Sequence, residues 1–315
     1  MTRVPQWLAV AVLVCMLPAC GNDKAASATS AAVIQTDPAY AAATAKWQQQ
    51  RRAELLKPDG WTSLVGLHWL ELKSHYIGSG GGSGIRLAKG PERMGLVQQD
   101  GERTWFTPER GAALTVDEMP LTRRIELKDE SSDAPLVIGF DEGKGRLSLI
   151  QRGQRRALRI KHADAPSRLQ FTRLQYWPAE PSWQVQGHFL PHPPGRTIAI
   201  ADIVGTISET PNPGSVEFAK DGQTYRIEAL AAADGGLFLI LADRTSGHGS
   251  YPAGRFIDAP APDSEGKVLV DFNRAYNPPC AFTAFATCPL PPPENRIDLA
   301  ITAGEKTYTP PSTAQ

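Results

Sequence analysis

Six prolines fall within the 26 residues from Asp271 to Arg296, beside two cysteines, three asparagines, two arginines and two carboxylates. Proline fixes φ and removes a backbone N–H, so Pro278-Pro279 and the run from Pro289 to Pro293 exclude both a helix and a central strand. The backbone must take extended, polyproline-like turns there. With Tyr276, Phe282 and Phe285 set among the polar groups, the stretch predicts a rigid loop rather than a flexible linker.

The body that carries this loop reads as mainly β. Tyr40 to Leu56 is the one convincing helix, with Tyr40, Ala43, Trp47, the stem of Arg51 and Leu55 at three-to-four spacing and Pro58-Asp-Gly60 as its stop. Its apolar stripe is expected to lie on the sheet that follows. Trp61 to Leu72 is a dense apolar cluster that reads as core. Gly78 to Gly84 is glycine-rich but lacks the Lys-Ser/Thr ending of a phosphate-binding loop, and no helix pattern follows it, so it reads as a hairpin loop.

From Ile85 onward, short runs such as Thr104 to Phe106, Leu136 to Phe140, Arg146 to Ile150 and Ala157 to Ile160 have strand composition and are separated by Gly, Asp and Pro clusters. Short strands without intervening helices predict antiparallel sandwiches or barrels. The order of the first set resembles a forkhead-associated sandwich, without the residues such modules use to bind phosphothreonine. Arg146, Arg152, Arg155, Arg156, Arg159 and Lys161 gather on one expected hairpin, where alternation against Leu158 and Ile160 predicts a solvated face and, as a second reading, an anion-binding patch.

The prolines from Pro178 to Pro194 mark a boundary between a first β subdomain with its helix, 38–177, and a second, 178–308, followed by a disordered tail, 309–315. In the second subdomain Asp221-Gly222 is a two-residue hairpin signal. Leu237 to Leu241 is continuously apolar, as expected of a strand covered on both faces.

At the N-terminus, Arg3 precedes an apolar run from Trp7 to Leu17, then Leu17-Pro-Ala-Cys20. Residues 1–19 read as an export signal too short to span a bilayer, and the ending resembles a bacterial lipobox with Cys20 as the acylated residue. Residues 20–37, rich in Ala, Ser and Thr, read as a disordered tether. The expected place is the cell envelope, lipid-anchored and facing the periplasm, with Gly21 after the cysteine favouring the outer membrane. Lys plus Arg and Asp plus Glu each number 33, and that balance disfavours nucleic acid, whose binding rests on neutralising phosphates with a basic face.

The run DFNRAYNPPCAF followed by CPLPPPENR, with Thr245 to Phe256 upstream and Ala303-Gly-Glu305 downstream, resembles the DUF1684 family of uncharacterised bacterial and archaeal proteins. The resemblance extends back to Gly60 to Leu70. The family implies a domain and no activity.

The candidate site combines the loop after Asp243, the loop after Phe272 and the corner at Glu294. It is expected to bring together Asp243, Arg255, Asp271, Asn273, Arg274, Tyr276, Asn277, Glu294 and Arg296, with His248, Tyr251 and Asn295 alongside. One reading is a network that holds the loop, since Asn and Asp cap turns and Arg clamps carboxylates. The other is a concave site for a small ligand, a glycan or a protein partner from the envelope. A hydrolase in which Asp271 and Glu294 divide acid and base roles beside Tyr276 is the alternative function. Cys280 and Cys288 are expected to form a disulfide in an oxidising compartment; a metal ligand role and a Cys280 nucleophile served by His248 stay open beside it. No cofactor or metal motif is present, and the sequence leaves open whether the chain is an enzyme at all.

Overall fold

The computed structural model describes Met1 and residues 37–311. The leader, Cys20 and most of the expected tether and tail therefore lie outside the described residues.

The one long helix among them is Pro38–Leu55. Asp37 caps it by accepting from the Ala39 N–H at 2.9 Å, and Pro38 stands at its first position, where a missing N–H costs nothing. Tyr40, Thr44, Trp47, Arg51 and Leu55 form its covered face, so Thr44 replaces the expected Ala43, which is exposed. The face does not pack on the following sheet. Two of its polar members find their partners at the far end of the chain: Tyr40 donates to Asp271 and Arg51 to Glu305.

Two sheets form the first half. A six-stranded sheet runs Leu64–Trp69, Arg155–His162, Gly145–Arg152, Val137–Phe140, Thr115–Val116 and Met119–Pro120 in spatial order. A five-stranded sheet runs Ile85–Arg86, Ser74–Gly78, Gly95–Asp100, Arg103–Pro108 and Ile125–Leu127. Leu147, Leu149, Leu158 and Ile160 of the first and Ile77, Val97, Phe106 and Leu127 of the second share one buried core, the arrangement that alternating strands dictate. The glycine loop is not a hairpin. Ile85–Arg86 returns parallel to Ser74–Gly78, because the flexible run 79–84 lets the chain loop round and re-enter in the same direction.

The second half is a curved six-stranded antiparallel sheet in the order Arg255–Ala259, Leu237–Leu241, Gln223–Ala231, Gly214–Lys220, Gln184–Pro191 and Lys267–Asp271. Asp221 and Gly222 both take positive φ, 50° and 76°, closing the predicted hairpin at Lys220 and Gln223 with the twist that a two-residue turn requires. Leu237, Leu239 and Leu241 point into a core completed by Ile297, Leu299 and Ile301 of the C-terminal segment. Phe238 and Ile240 face the opposite side, with Phe256, Ala286 and Cys288. That strand is therefore covered on both faces, and each fully buried leucine contributes about 1.5–3 kcal/mol. The proline loop lies across the second of these faces. Past the last strand, the Thr309 carbonyl accepts from the Thr172 hydroxyl at 3.0 Å, so the chain is still held at that point.

Candidate functional site

Cys280 and Cys288 are bonded, with Cα atoms 6.1 Å apart. The bond removes the free thiol that a nucleophile or a metal ligand would need, and His248 lies exposed, its ring beside the Ser246 carbonyl. Among the described residues no three or more His, Cys, Asp or Glu side chains gather as a metal would require.

The polar residues of the candidate site fall into four groups, the first two joined by Arg255, whose Nη1 also reaches the Glu305 carbonyl at 3.4 Å. In the first, Arg255 is 1% exposed and pairs with the equally buried Asp243 side chain at 2.6 Å, while its remaining donors reach the carbonyls of Ile301 and Ala303. Asp243 also accepts from the Thr245 amide and hydroxyl, both at 2.6 Å. Burial holds the Arg255 guanidinium below its ordinary range, and Asp243 pulls it back. Tyr251 is half-buried beside this group, its phenol raised by burial.

The second group was not legible in the sequence as a site. Glu305 is fully buried and accepts from Arg51 Nε at 2.9 Å and from the Asn277 amide at 2.8 Å. Arg51 Nη2 then donates to the Asn277 carbonyl at 2.8 Å, and its guanidinium lies 4.5 Å over the Tyr276 ring. Burial pushes the Glu305 carboxyl up, against Arg51 and the Asn277 amide, which favour its charged form. Gly304 makes this approach possible: its φ is +77°, and a Cβ there would stand 2.4 Å from the Ala275 carbonyl oxygen. Ala303-Gly-Glu305 stood out in the sequence only through the family resemblance.

In the third group, Asp271 accepts from Tyr40, Gln184 and Asn273 and pairs with Arg274 at 3.4 Å, while Asn273 exchanges two hydrogen bonds with the Glu180 backbone. Burial, then the Asp271 charge, pushes the Tyr40 phenol up to about 12. The fourth group is the Glu294 corner. Buried Asn295 bonds the Glu228 amide and carbonyl and the Ile240 carbonyl, and Arg296 forms a backbone bridge to Ala242. Glu294 and Arg296 are both exposed. Asp271 and Glu294 share no hydrogen-bond partner, so the expected convergence divides between different parts of the second sheet.

What the loop does build is a cleft of about 410 Å³ between it, the helix and the sheet. Trp47, Trp61, Phe238, Phe256, Tyr276 and Pro279 wall it, and Gln50, Arg51, Glu54 and Asp258 supply its polar groups. Tyr276 is fixed by both backbone bonds to Phe256, each 2.9 Å, and by an edge-on ring contact at 5.8 Å. Its phenol is raised by burial and then by Asp258, which accepts its hydrogen bond. Tyr276 is the one residue of the expected site that lines the cleft; Trp47, Trp61, Phe238 and Asp258 were missed because each reads locally as an ordinary core or strand residue.

Fold and site together define a mainly β protein whose proline- and cystine-stiffened loop closes one wall of an aromatic cleft. Residues 169–306 match the model of a family described as a protein of unknown function, DUF1684, and that portion of the chain belongs to it. The match begins after Gly60 to Leu70, which the sequence resemblance had included. The solution NMR structure of an uncharacterized protein of Haloarcula marismortui is 30% identical, covering 44% of this chain and 79% of that one, with a TM-score of 0.37. No curated protein matches.

Proposed function

We propose that this chain is an exported cell-envelope protein, lipid-anchored through Cys20 and facing the periplasm, that binds a glycan without transforming it. One observation carries the binding assignment: the loops 243–256 and 271–296 contribute Phe256, Tyr276 and Pro279 to an aromatic cleft. Sugar rings lay their C–H faces on aromatic side chains, and their hydroxyls donate hydrogen bonds to carboxylates such as Asp258 and Glu54 and exchange them with an amide such as that of Gln50. The hydrolase alternative loses support from the same arrangement, since the Asp271 oxygens are engaged by four side chains and neither Asp271 nor Glu294 lines the cleft.

Saturation-transfer NMR with soluble oligosaccharides from envelope glycans tests the reading. Transfer to sugar C–H protons, weakened in Gln50→Ala and Glu54→Gln, supports it. Transfer to no member of the panel overturns it. For the anchor, Cys20→Ser moves the protein from the membrane to the soluble fraction; an unchanged membrane fraction contradicts lipidation at that residue.

A further inference from the structure

Away from the aromatic cleft, the hairpin of Gly145–Arg152 and Arg155–His162 carries an unusual face. Arg146 stands directly opposite Lys161 and Ser148 directly opposite Arg159, so three cations occupy adjacent positions on one side of the sheet. Like charges set opposite each other destabilise an antiparallel pair, and alternation alone gives no reason to bury them. Yet Arg159 is only 3% exposed. The solvated face expected from the sequence holds at Arg146 and Arg155, which are exposed, but not at Arg159, where the Trp61 ring stands 5.4 Å from the guanidinium and 5.3 Å from the neighbouring Lys161 ammonium.

The compensation within the protein is incomplete. Arg159 spends Nη1 on both oxygens of Glu130, at 2.7 and 2.6 Å, while its Nε is buried with no hydrogen-bond partner. Glu130 is shared with Arg152 at 3.4 Å. Lys161 donates to the Asp59 backbone carbonyl at 2.6 Å and has no carboxylate within ion-pair distance among the described residues, since the Asp59 carboxylate pairs with Arg146 at 3.5 Å. Burial and the adjacent Arg159 both lower the Lys161 ammonium. These groups line a cavity of about 220 Å³ in which three cations face two carboxylates.

We propose that this cavity is a binding site for a small oxyanion, a phosphate or carboxylate group held by Lys161, Arg159 and Arg146, with the Ser148 hydroxyl as an added donor. An anion there supplies the missing negative charge and turns the opposed cations from a repulsive cluster into a charge-assisted clamp. The site has the Trp61 ring in common with the aromatic cleft, and no lining residue, and it does not rest on the glycan assignment.

Isothermal titration of the full chain with inorganic phosphate and with acetate, at ionic strength held constant with chloride, tests it. Saturable one-to-one binding of either anion is expected, with affinity reduced about 10- to 100-fold in Lys161→Met, the loss of one hydrogen bond to a charged group. Arg146→Gln alters a half-exposed side chain, leaves the Arg159–Glu130 pair intact and is expected to weaken binding as well, so the test survives if Lys161→Met fails to fold. Tighter binding of glycerol phosphate than of inorganic phosphate assigns the anion to an organic phosphate; the reverse order assigns it to the free ion. No saturable binding of any of these probes, or wild-type affinity in both variants, overturns the proposal.

Discussion

Replacing Arg51 by methionine keeps much of the aliphatic stem and removes three interactions at once: the ion pair to Glu305, the donor to the Asn277 carbonyl and the stack on Tyr276. The Arg51 side chain is 15% exposed and that of Glu305 is not exposed at all, so the carboxylate left behind cannot reach water. Breaking such a pair costs about 3–5 kcal/mol, most of it from the stranded charge. For a protein of this size that lowers the thermal midpoint by roughly 6–20 °C. Because Glu305 can take up a proton instead of remaining a buried anion, the cost is largest at pH 8 and shrinks as the pH falls towards 5. Adding Glu305→Gln to the methionine variant removes the charge and restores part of the stability. Thermal unfolding of the wild type, both single variants and the double variant at the two pH values measures all of this. A loss below about 1 kcal/mol for Arg51→Met, or additive effects in the double variant, would refute the assignment of Arg51 and Glu305 as a coupled buried pair.

Glu305 also gives the wild type a characteristic pH dependence. Its folded carboxyl is raised above its unfolded value, so the native state holds the proton longer and stability falls as pH rises through the window above the ordinary carboxylate value; Glu305→Gln flattens that slope in a pH series of urea midpoints, and an unchanged slope contradicts the burial argument. Reduction of the Cys280–Cys288 bond frees a loop of eight residues' separation and costs roughly 2–3 kcal/mol from loop-closure entropy, read from the denaturant midpoint with and without reductant; identical midpoints would contradict it. Asn295→Ala leaves the Glu228 amide and two carbonyls without a buried partner and is expected to cost about 2–4 kcal/mol in chemical denaturation, whereas a change near zero means water replaces the amide. Gly304→Ala forces a positive-φ residue against the Ala275 carbonyl and destabilises the tail by more than 1 kcal/mol, visible as faster hydrogen exchange at the Glu305 amide.

The parts of this molecule that were legible in the sequence are those with a local cause. Asp221-Gly222 sets its own turn, the run from Leu237 to Leu241 announces a strand covered twice, and proline density together with Cys280 and Cys288 marks a stiff loop. The helix span was readable from its spacing and stop, but the place where it docks was not: Arg51 and Glu305 are 254 residues apart, and nothing near either names the other. The basic hairpin was legible and is exposed at Arg146 and Arg155, but the burial of Arg159 was not, because alternation says which residues share a face and not which part of it Trp61 covers. Asp271 and Glu294 lie in one proline-rich stretch, yet the segment between them, with its disulfide-closed loop, carries the chain from the end of the edge strand Lys267–Asp271 to the interior strands at Glu228 and Ile240. Proximity in sequence therefore did not become proximity in space.

The most direct measurement follows Trp47 and Trp61 fluorescence while an envelope oligosaccharide that gives saturation transfer is titrated into the wild type and Tyr276→Ala. A saturable change in emission that is lost or shifted to at least tenfold higher concentration in the variant is the result predicted for a preformed aromatic cleft. Emission that stays constant through the titration, or that changes identically in both proteins, would contradict it.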